Sequence, residues 1–575
     1  MRLVTSPTTP SDSLRALADR FWEHFVAAYP TWATVIGDRR FDDRLDDPSQ
    51  AGVAARLAWL DEIAGGARAI DPAGLTSIER VTRQMLVDEA SDHAASLRTG
   101  IDEWTVDPLQ GPIMNILDTV DYQTIRTPED GRAMVERWRG IGRYFDALRA
   151  NLREAAADGK VAVVKPVERM LDILRGLEAL PPGDWKLAAP ASGELEGWSE
   201  ADREHFRAAL MDQVREIAIP GFRRYRQTLE QDVLPHARGE DQPGILHLPG
   251  GAEAYRTAIR VHTTLDLSPE EIHATGLAEI ERIDAEFIEL GRRVLGTTDL
   301  QSTLATLRDD PRLRFSTADE VFETAKRSLA RAQSAITDWF GRIPSAACVV
   351  MPVPSHSEVH QTIAYYSWPA MDGSRPGRYY INLHAPETRP RFEAEALAFH
   401  ESVPGHHLQI AVAQELPGLP AFQRMLGSTA FAEGWGLYTE RLSDEMGLYS
   451  SDMDRFGILS YDAWRAGRLV VDTGIHALGW TRQQAIDFLA GHSALGGNNI
   501  ANEVDRYIVW PGQALAYKVG QLEILRLRAD AKARLDGAFD IKAFHDVVLG
   551  SGAVSLPVLR SLVDDWLKQR GHVSQ

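Results

Sequence analysis

The sequence predicts a mainly α protein: a large two-lobed helical fold with a small β-sheet next to the helix that carries its chemistry. Three observations predict it. The chain has 575 residues, more than one small core uses, so two domains or one two-lobed domain is the expectation. Apolar residues recur at three- and four-residue spacing from Asp12 to about Lys326, the period of amphipathic helices. Between Ile343 and His384 the pattern changes to β-branched and aromatic runs cut by Pro and Gly, which marks short strands.

Composition narrows the class. With 44% apolar and 25% charged residues the chain can bury a sizeable core as an ordinary soluble protein. The net charge of −20 argues against a nucleic-acid partner and suits a solvated acidic surface. No apolar run approaches the roughly 18 residues of a membrane span. The polar stretch Met1–Ser13 lacks the apolar core of a signal peptide, so a cytoplasmic protein with no membrane partner is expected. One cysteine, Cys348, rules out an internal disulfide and cannot alone build a thiolate metal site; it is expected to be a small buried residue.

In chain order, the first half reads as helices such as Leu14–Trp22 and Ile272–Leu295, broken by loops at Pro181–Asp184 and Arg238–Pro243. Ser268 caps the second of these, with Pro269 at its first position and Glu270 and Glu271 in its first turn. There is no internal repeat or flexible linker, so the division is set at 1–265 for an N-terminal lobe walling a cleft and 266–575 for a catalytic lobe. The small sheet (about 343–384) takes Cys348–Val353, Thr362–Tyr366 and Arg378–Leu383 as strands, with a turn at Asp372–Gly377.

Next comes Ala396-Leu-Ala-Phe-His-Glu-Ser-Val-Pro-Gly-His-His-Leu-Gln-Ile410, within a helix of about 391–415. Three histidines and a carboxylate in an apolar run are costly to bury unless something binds them. Imidazole is the commonest protein metal ligand, and a Glu directly after a ligand His is placed to act as general base for water at a metal. The segment therefore reads as a zinc centre with His400 as ligand and Glu401 as base. In His-Glu-x-x-His the ligands share a helix face, about 40° apart. Here Pro404 occupies the second position, and the next histidines are His406 and His407. An i,i+6 pair is about 240° apart on an ideal helix, while an i,i+7 pair is separated by about 10.5 Å of rise. Pro404 clashes with the carbonyl of His400, and Gly405 weakens the next position. A broken turn at Val403–Gly405 follows, with His406 as ligand if two residues loop out and His407 if the helix carries on.

A third ligand is expected from a second helix (about 428–446). Glu433 lies there among Phe431, Ala432, Gly434 and Trp435, where a carboxylate needs a cation. Glu440 shares its face and can orient a ligand His; an exposed ion pair with Arg441 is the alternative. Further on, Asp472 stands four residues before His476, where it can fix or protonate the imidazole for hydrogen-bond donation to an oxyanion. Gln513, Tyr517 and Gly520 share a helical face, and Arg506 or Lys518 can meet a substrate carboxylate.

His400–Gln409 together with Ala432-Glu-Gly-Trp-Gly-Leu-Tyr438 resembles the bacterial family catalogued as domain of unknown function 885, grouped with zincin-like metallopeptidases. Tyr379–Leu383, Asp472–His476 with Gly479-Trp480, Trp510–Gly520 and Ala33–Asp38 extend the resemblance over most of the chain. More distantly, a His-Glu helix followed by a Glu-bearing helix is similar to gluzincin peptidases. That likeness implies a zincin-like fold, an edge strand beside the metal helix that binds substrate backbone through Tyr379, Tyr380 and Asn382, and Tyr517 as an oxyanion donor. The function implied is zinc-dependent hydrolysis of short peptides, carboxypeptidase- or dipeptidase-like, using one Zn²⁺. The alternatives are a metal-dependent hydrolase of a non-peptide amide or ester, and a non-catalytic protein retaining a structural metal.

Overall fold

The computed structural model describes residues 9–354, 358, 362–371, 373 and 375–571. Most of the polar start, residues 1–8, and Asp372 and Ser374 of the expected turn lie outside the described residues. The fold is mainly α with a three-stranded sheet. No helix among the described residues is long and apolar enough to cross a membrane.

The chain divides into two compact units. One comprises Asp19–Gly65 and Ala90–Ala254. It builds its helices around a core that includes Trp138, Phe145, Trp185 and Phe222. The other comprises Met1–Ala18, Gly66–Glu89 and Tyr255–Gln575, so it takes two segments from within the first 265 residues. Every residue singled out above for chemistry belongs to this second unit.

Within it, α1 (Pro269–Val294) starts on a capping box in which the Glu271 amide donates to Ser268 Oγ and Glu271 accepts from the Ser268 amide. The sheet comprises β1 (Cys348–Pro352), β2 (Ala364–Ser367) and β3 (Gly377–Ile381). Its order is β1-β3-β2, with β3 parallel to β1 and antiparallel to β2. The expected edge strand is thus the central one. Tyr379 pairs with Val350 on one side and Tyr366 on the other, so the backbone of β3 has no free edge for strand addition. Alternation identifies a strand but not its neighbours, and here the parallel partner comes from about thirty residues earlier in the chain. Cys348 is buried, and burial pushes its thiol up to about 12, which leaves it inert.

The remaining helices that build the site are α2 (Ala394–Glu401), α3 (His406–Glu415), α4 (Thr429–Glu445), α5 (Arg455–His476), α6 (Gly497–Val509) and α7 (Ala516–Leu535). Every residue of α5 from Phe456 to His476 is buried. A helix covered on all sides must place its polar groups against partners, which makes α5 the axis of this unit. It packs along α1, while α4 packs along α7.

The α4–α7 crossing depends on two glycines. A Cβ on Gly520 would sit 1.8 Å from the Ala430 carbonyl oxygen, and one on Gly434 would sit 2.4 Å from the Gly520 carbonyl carbon. Only bare backbones can approach this closely. Gly520→Ala is therefore expected to cost about 1–3 kcal/mol or more through overpacking. Gly176→Ala, where a Cβ meets nothing within 4 Å, should be neutral or stabilising by up to about 1 kcal/mol. Denaturant melts of the two variants check this, and equal stability of Gly520→Ala and wild type would contradict it.

Candidate metal centre

The site begins where α2 stops. Ser402 takes φ −109°, ψ −112° and Gly405 takes φ −79°, ψ −127°, so the helix is interrupted over Ser402–Gly405. A Cβ on Gly405 would lie 1.9 Å from the His400 carbonyl oxygen and 2.4 Å from that of Phe399; this residue must lack a side chain for the chain to fold back on itself. The Trp435 indole N–H donates to the Pro404 carbonyl at 2.9 Å, tying the interruption to α4. The helix resumes at His406.

This path puts His406 beside His400. Their rings are edge-on, with centroids 4.7 Å apart. Glu433 on α4 faces both, its Oε2 lying 3.7 Å from His400 Nε2 and 3.4 Å from His406 Nε2. One ligand atom from each of the three lies within 4.8 Å of the other two. Glu440, two turns along α4, accepts a hydrogen bond from His400 Nδ1 at 2.8 Å. It is fully buried, while Arg441 pairs instead with Asp462 and Glu286. Glu440 thereby fixes the ring so that Nε2 faces Glu433, the geometry of a carboxylate behind a metal-ligating histidine. Gly436 makes room for that ring, since a Cβ there would lie 2.7 Å from His400 Cε1.

His407 is not part of the cluster. Its Nδ1 bonds the Tyr366 hydroxyl at 2.8 Å and its Nε2 bonds the Ala346 carbonyl at 3.0 Å. Burial holds its imidazole down to about 4, against the raising effect of the Ala346 hydrogen bond. As a neutral ring with both nitrogens engaged, it ties α3 to the sheet. Of the two sequence candidates it is His406 that lies with His400 and Glu433, because the inserted residues loop out.

Glu401 ends α2 beside His400. It is half-buried, and its carboxylate makes no hydrogen bond or ion pair among the described residues. The donor set of two imidazole nitrogens and one carboxylate oxygen suits zinc and is also taken by Mn, Fe and Co. The residues present fit a divalent ion: His400 is pre-aimed, Gly436 leaves space for its ring, and three donors converge.

The other expected site residues fare differently. His476 is fully buried with its Nε2 on the Tyr507 carbonyl at 2.9 Å. Asp472 accepts from the Tyr255 hydroxyl at 2.6 Å and from the Gly512 amide. That nitrogen of His476 is committed to packing α5 and α6, which corrects its assignment as an oxyanion donor. Lys518 is also corrected, because its buried ammonium contacts Asp462 at 2.5 Å, Glu279 at 2.9 Å and Gln521 at 2.8 Å. Arg506 is tied to Gln513 at 2.8 Å and Glu503 at 3.3 Å. Tyr379 is fully buried, within the field of Glu401. Tyr380 stacks on Tyr365 with centroids 4.8 Å apart and accepts from Arg378. Asn382 is buried, donating to the Glu358 carbonyl at 2.7 Å and accepting from the His384 amide. Tyr380 and Asn382 are thus engaged within the fold, and Tyr379 lies on a strand paired on both sides.

Tyr517 keeps a place near the cluster. It is half-buried on α7, one turn before the Gly520 crossing that brings α7 against Gly434, next to Glu433. Burial and the Glu433 carboxylate raise its phenol, against the lowering fields of Arg468, Arg506 and Arg465. It is therefore a proton-bearing donor at neutral pH. Two residues of its surroundings, Arg465 and Arg468 on α5, were not singled out from sequence. The available signal was a pair of arginines three apart inside Ala463-Trp-Arg-Ala-Gly-Arg-Leu-Val-Val471, an apolar run where any charge needs a reason.

The electrostatics of the cluster are testable in metal-free protein. Burial lowers His400, but the carboxylates of Glu433 and Glu440 outweigh it and raise the imidazole to about 9. A raised folded-state value means that this charge cluster contributes its full stability below the unfolded value of about 6.5 and loses it as pH climbs through about 9. Glu440→Gln should bring the His400 titration, read by NMR, down toward about 6.5. An unchanged titration midpoint in that variant would contradict the arrangement described.

The chain matches no protein of curated function. Among solved structures, a candidate lipoprotein from Colwellia psychrerythraea is 26% identical, with a TM-score of 0.92 over 98% of this chain and 100% of that one. A candidate lipoprotein of unknown function from Shewanella oneidensis is 19% identical, with a TM-score of 0.74 over 96% of this chain and 99% of that one, and shows the same fold. A carboxypeptidase from Pyrococcus furiosus aligns over 99% of both chains at 10% identity, but its TM-score of 0.37 is too low to bear on fold or function. Residues 30–563 match the family described as bacterial protein of unknown function, and the chain belongs to that family, DUF885.

Proposed function

We propose that this protein is a zinc-dependent hydrolase that cleaves amide bonds in short peptides, with the ion held by His400, His406 and Glu433. The observation that carries the reading is the convergence of these three donors, with His400 locked by Glu440 and followed directly by Glu401, whose carboxylate has no hydrogen bond among the described residues. When bound, the ion supplies Lewis acidity toward water and the scissile carbonyl.

The chain's own groups do the rest. Glu401, free of any competing hydrogen bond among the described residues, accepts a proton from the attacking water and returns it to the leaving amine nitrogen. Glu440 keeps His400 in the tautomer protonated at Nδ1, so that Nε2 stays available as a ligand. The Tyr517 hydroxyl donates toward the carbonyl oxygen as it gains charge. The imidazole of His407, which reads as a ligand in sequence, keeps α3 on the sheet and takes no chemical part.

Glu401→Gln separates the chemistry from the binding. The variant should retain the metal and the melting temperature of wild type while losing about 10²- to 10⁴-fold in hydrolysis of a short-peptide panel. Undiminished hydrolysis by Glu401→Gln would remove the base assigned here. A metal-loaded wild type that leaves every peptide intact but cleaves non-peptide amides or esters would replace the substrate class.

A further inference from the structure

Among the described residues, Arg465 is a cation without a partner. It is 5% exposed, its Nε and Nη1 are shut off from solvent, and it forms no hydrogen bond or ion pair among the described residues. A buried guanidinium normally has a carboxylate against it, since removing the charge from water is costly. Glu393 lies within its field but not within ion-pair distance, and Glu393 Oε1 is already taken by Ser460 at 2.6 Å. What surrounds Arg465 instead is aromatic: its Cζ lies 4.5 Å from the Tyr461 ring centroid, 4.2 Å from that of Trp464 and 6.0 Å from that of Tyr517.

One turn along α5, Arg468 repeats part of this arrangement. Its Nε donates to the Tyr507 hydroxyl and its Nη2 to Glu503, both at 3.0 Å. Its Nη1 is buried with no partner. Its Cζ lies 4.3 Å from the Tyr517 ring centroid, so the two guanidinium groups share that ring. Three buried N–H-bearing nitrogens, Arg465 Nε, Arg465 Nη1 and Arg468 Nη1, are left without acceptors among the described residues, beside the Tyr517 ring that both guanidinium groups share. Tyr517 itself lies within the electrostatic field of Glu433.

Aromatic faces offset part of the cost of burying a guanidinium, but they accept none of its in-plane N–H bonds. Those bonds suit a planar, anionic, two-oxygen acceptor. We propose that Arg465, assisted by Arg468, binds the free C-terminal carboxylate of the peptide substrate. This rests on the hydrolase reading above for the word substrate and deepens it, since the protein then acts on peptides from their carboxyl end. No described residue supplies the acceptor, because the ligand brings it. Arg506 and Lys518, the residues that sequence points to for this role, already have acceptors of their own.

The test reads binding rather than turnover, using the full-length metal-loaded protein. N-acetylalanine and N-acetylalaninamide differ only in whether the terminus is a carboxylate or a neutral amide. Titration calorimetry should show wild type binding the acid at least about tenfold more tightly than the amide. Arg465→Gln should abolish that preference. Arg465→Lys, which keeps the charge but not the planar pair of donors, should retain only part of it. Both variants should keep the wild-type metal content. Arg465→Met should melt at or above the wild-type temperature, because it removes a buried charge that no described residue pairs with.

Equal binding of acid and amide by wild type would overturn the proposal. So would a preference that survives Arg465→Gln, which would put the carboxylate on the metal or elsewhere. A large fall in melting temperature for Arg465→Met would make the guanidinium a structural element and overturn it as well. A protein that holds metal but cuts no peptide would sink the proposed activity while leaving this binding test intact.

Discussion

The centre depends on a backbone constraint four residues long. An uninterrupted helix would carry His406 to the far side from His400. Ser402–Gly405 leaves the helix, and Gly405 sits against the carbonyl oxygens of Phe399 and His400, at a distance no side chain would allow. The consequence is a division of labour between adjacent residues. His406 turns back to His400 and Glu433, while His407 turns to Tyr366 and the Ala346 carbonyl.

The second support is the way α4 is held. Its Gly434 meets Gly520 of α7, its Gly436 accepts the His400 ring, and its Trp435 bonds the Pro404 carbonyl. Three consecutive residues thus fix the helix against α7, α2 and the interruption. Glu433 and Glu440, seven residues apart and on one face, then bracket His400 from its two nitrogens. The proposed carboxylate site has a different foundation, the buried helix α5. It bears the unpartnered Arg465 and the half-partnered Arg468 on the side that meets Tyr517. Asp462 on the same helix is by contrast saturated by Lys518, Arg441 and Arg282.

Much of this was legible in the chain, and the limits are physical. The helical fold, the start at Ser268, three strands between 343 and 384 and the interruption at Pro404 all follow from local chemistry: periodicity, capping and a missing N–H. The pairing of His400 with Glu433 and Glu440 follows from residue type and a seven-residue interval. What local pattern cannot supply is long-range pairing. The central position of β3 depends on a parallel partner from a distant segment, and Lys518 is neutralised by Asp462 and Glu279 from two other helices. The reverse error concerns Arg465, which looks like any arginine in a helix until the fold shows that no described residue pairs with it.

Metal analysis of purified protein tests the central claim most directly. Wild type should carry one equivalent of a divalent ion, and His400→Ala, His406→Ala and Glu433→Ala should each lose it. His407→Ala should keep it, although the neighbouring alanine substitution at His406 does not. Undiminished metal in the His406 or Glu433 variant, or metal lost from the His407 variant alone, would contradict the centre described here.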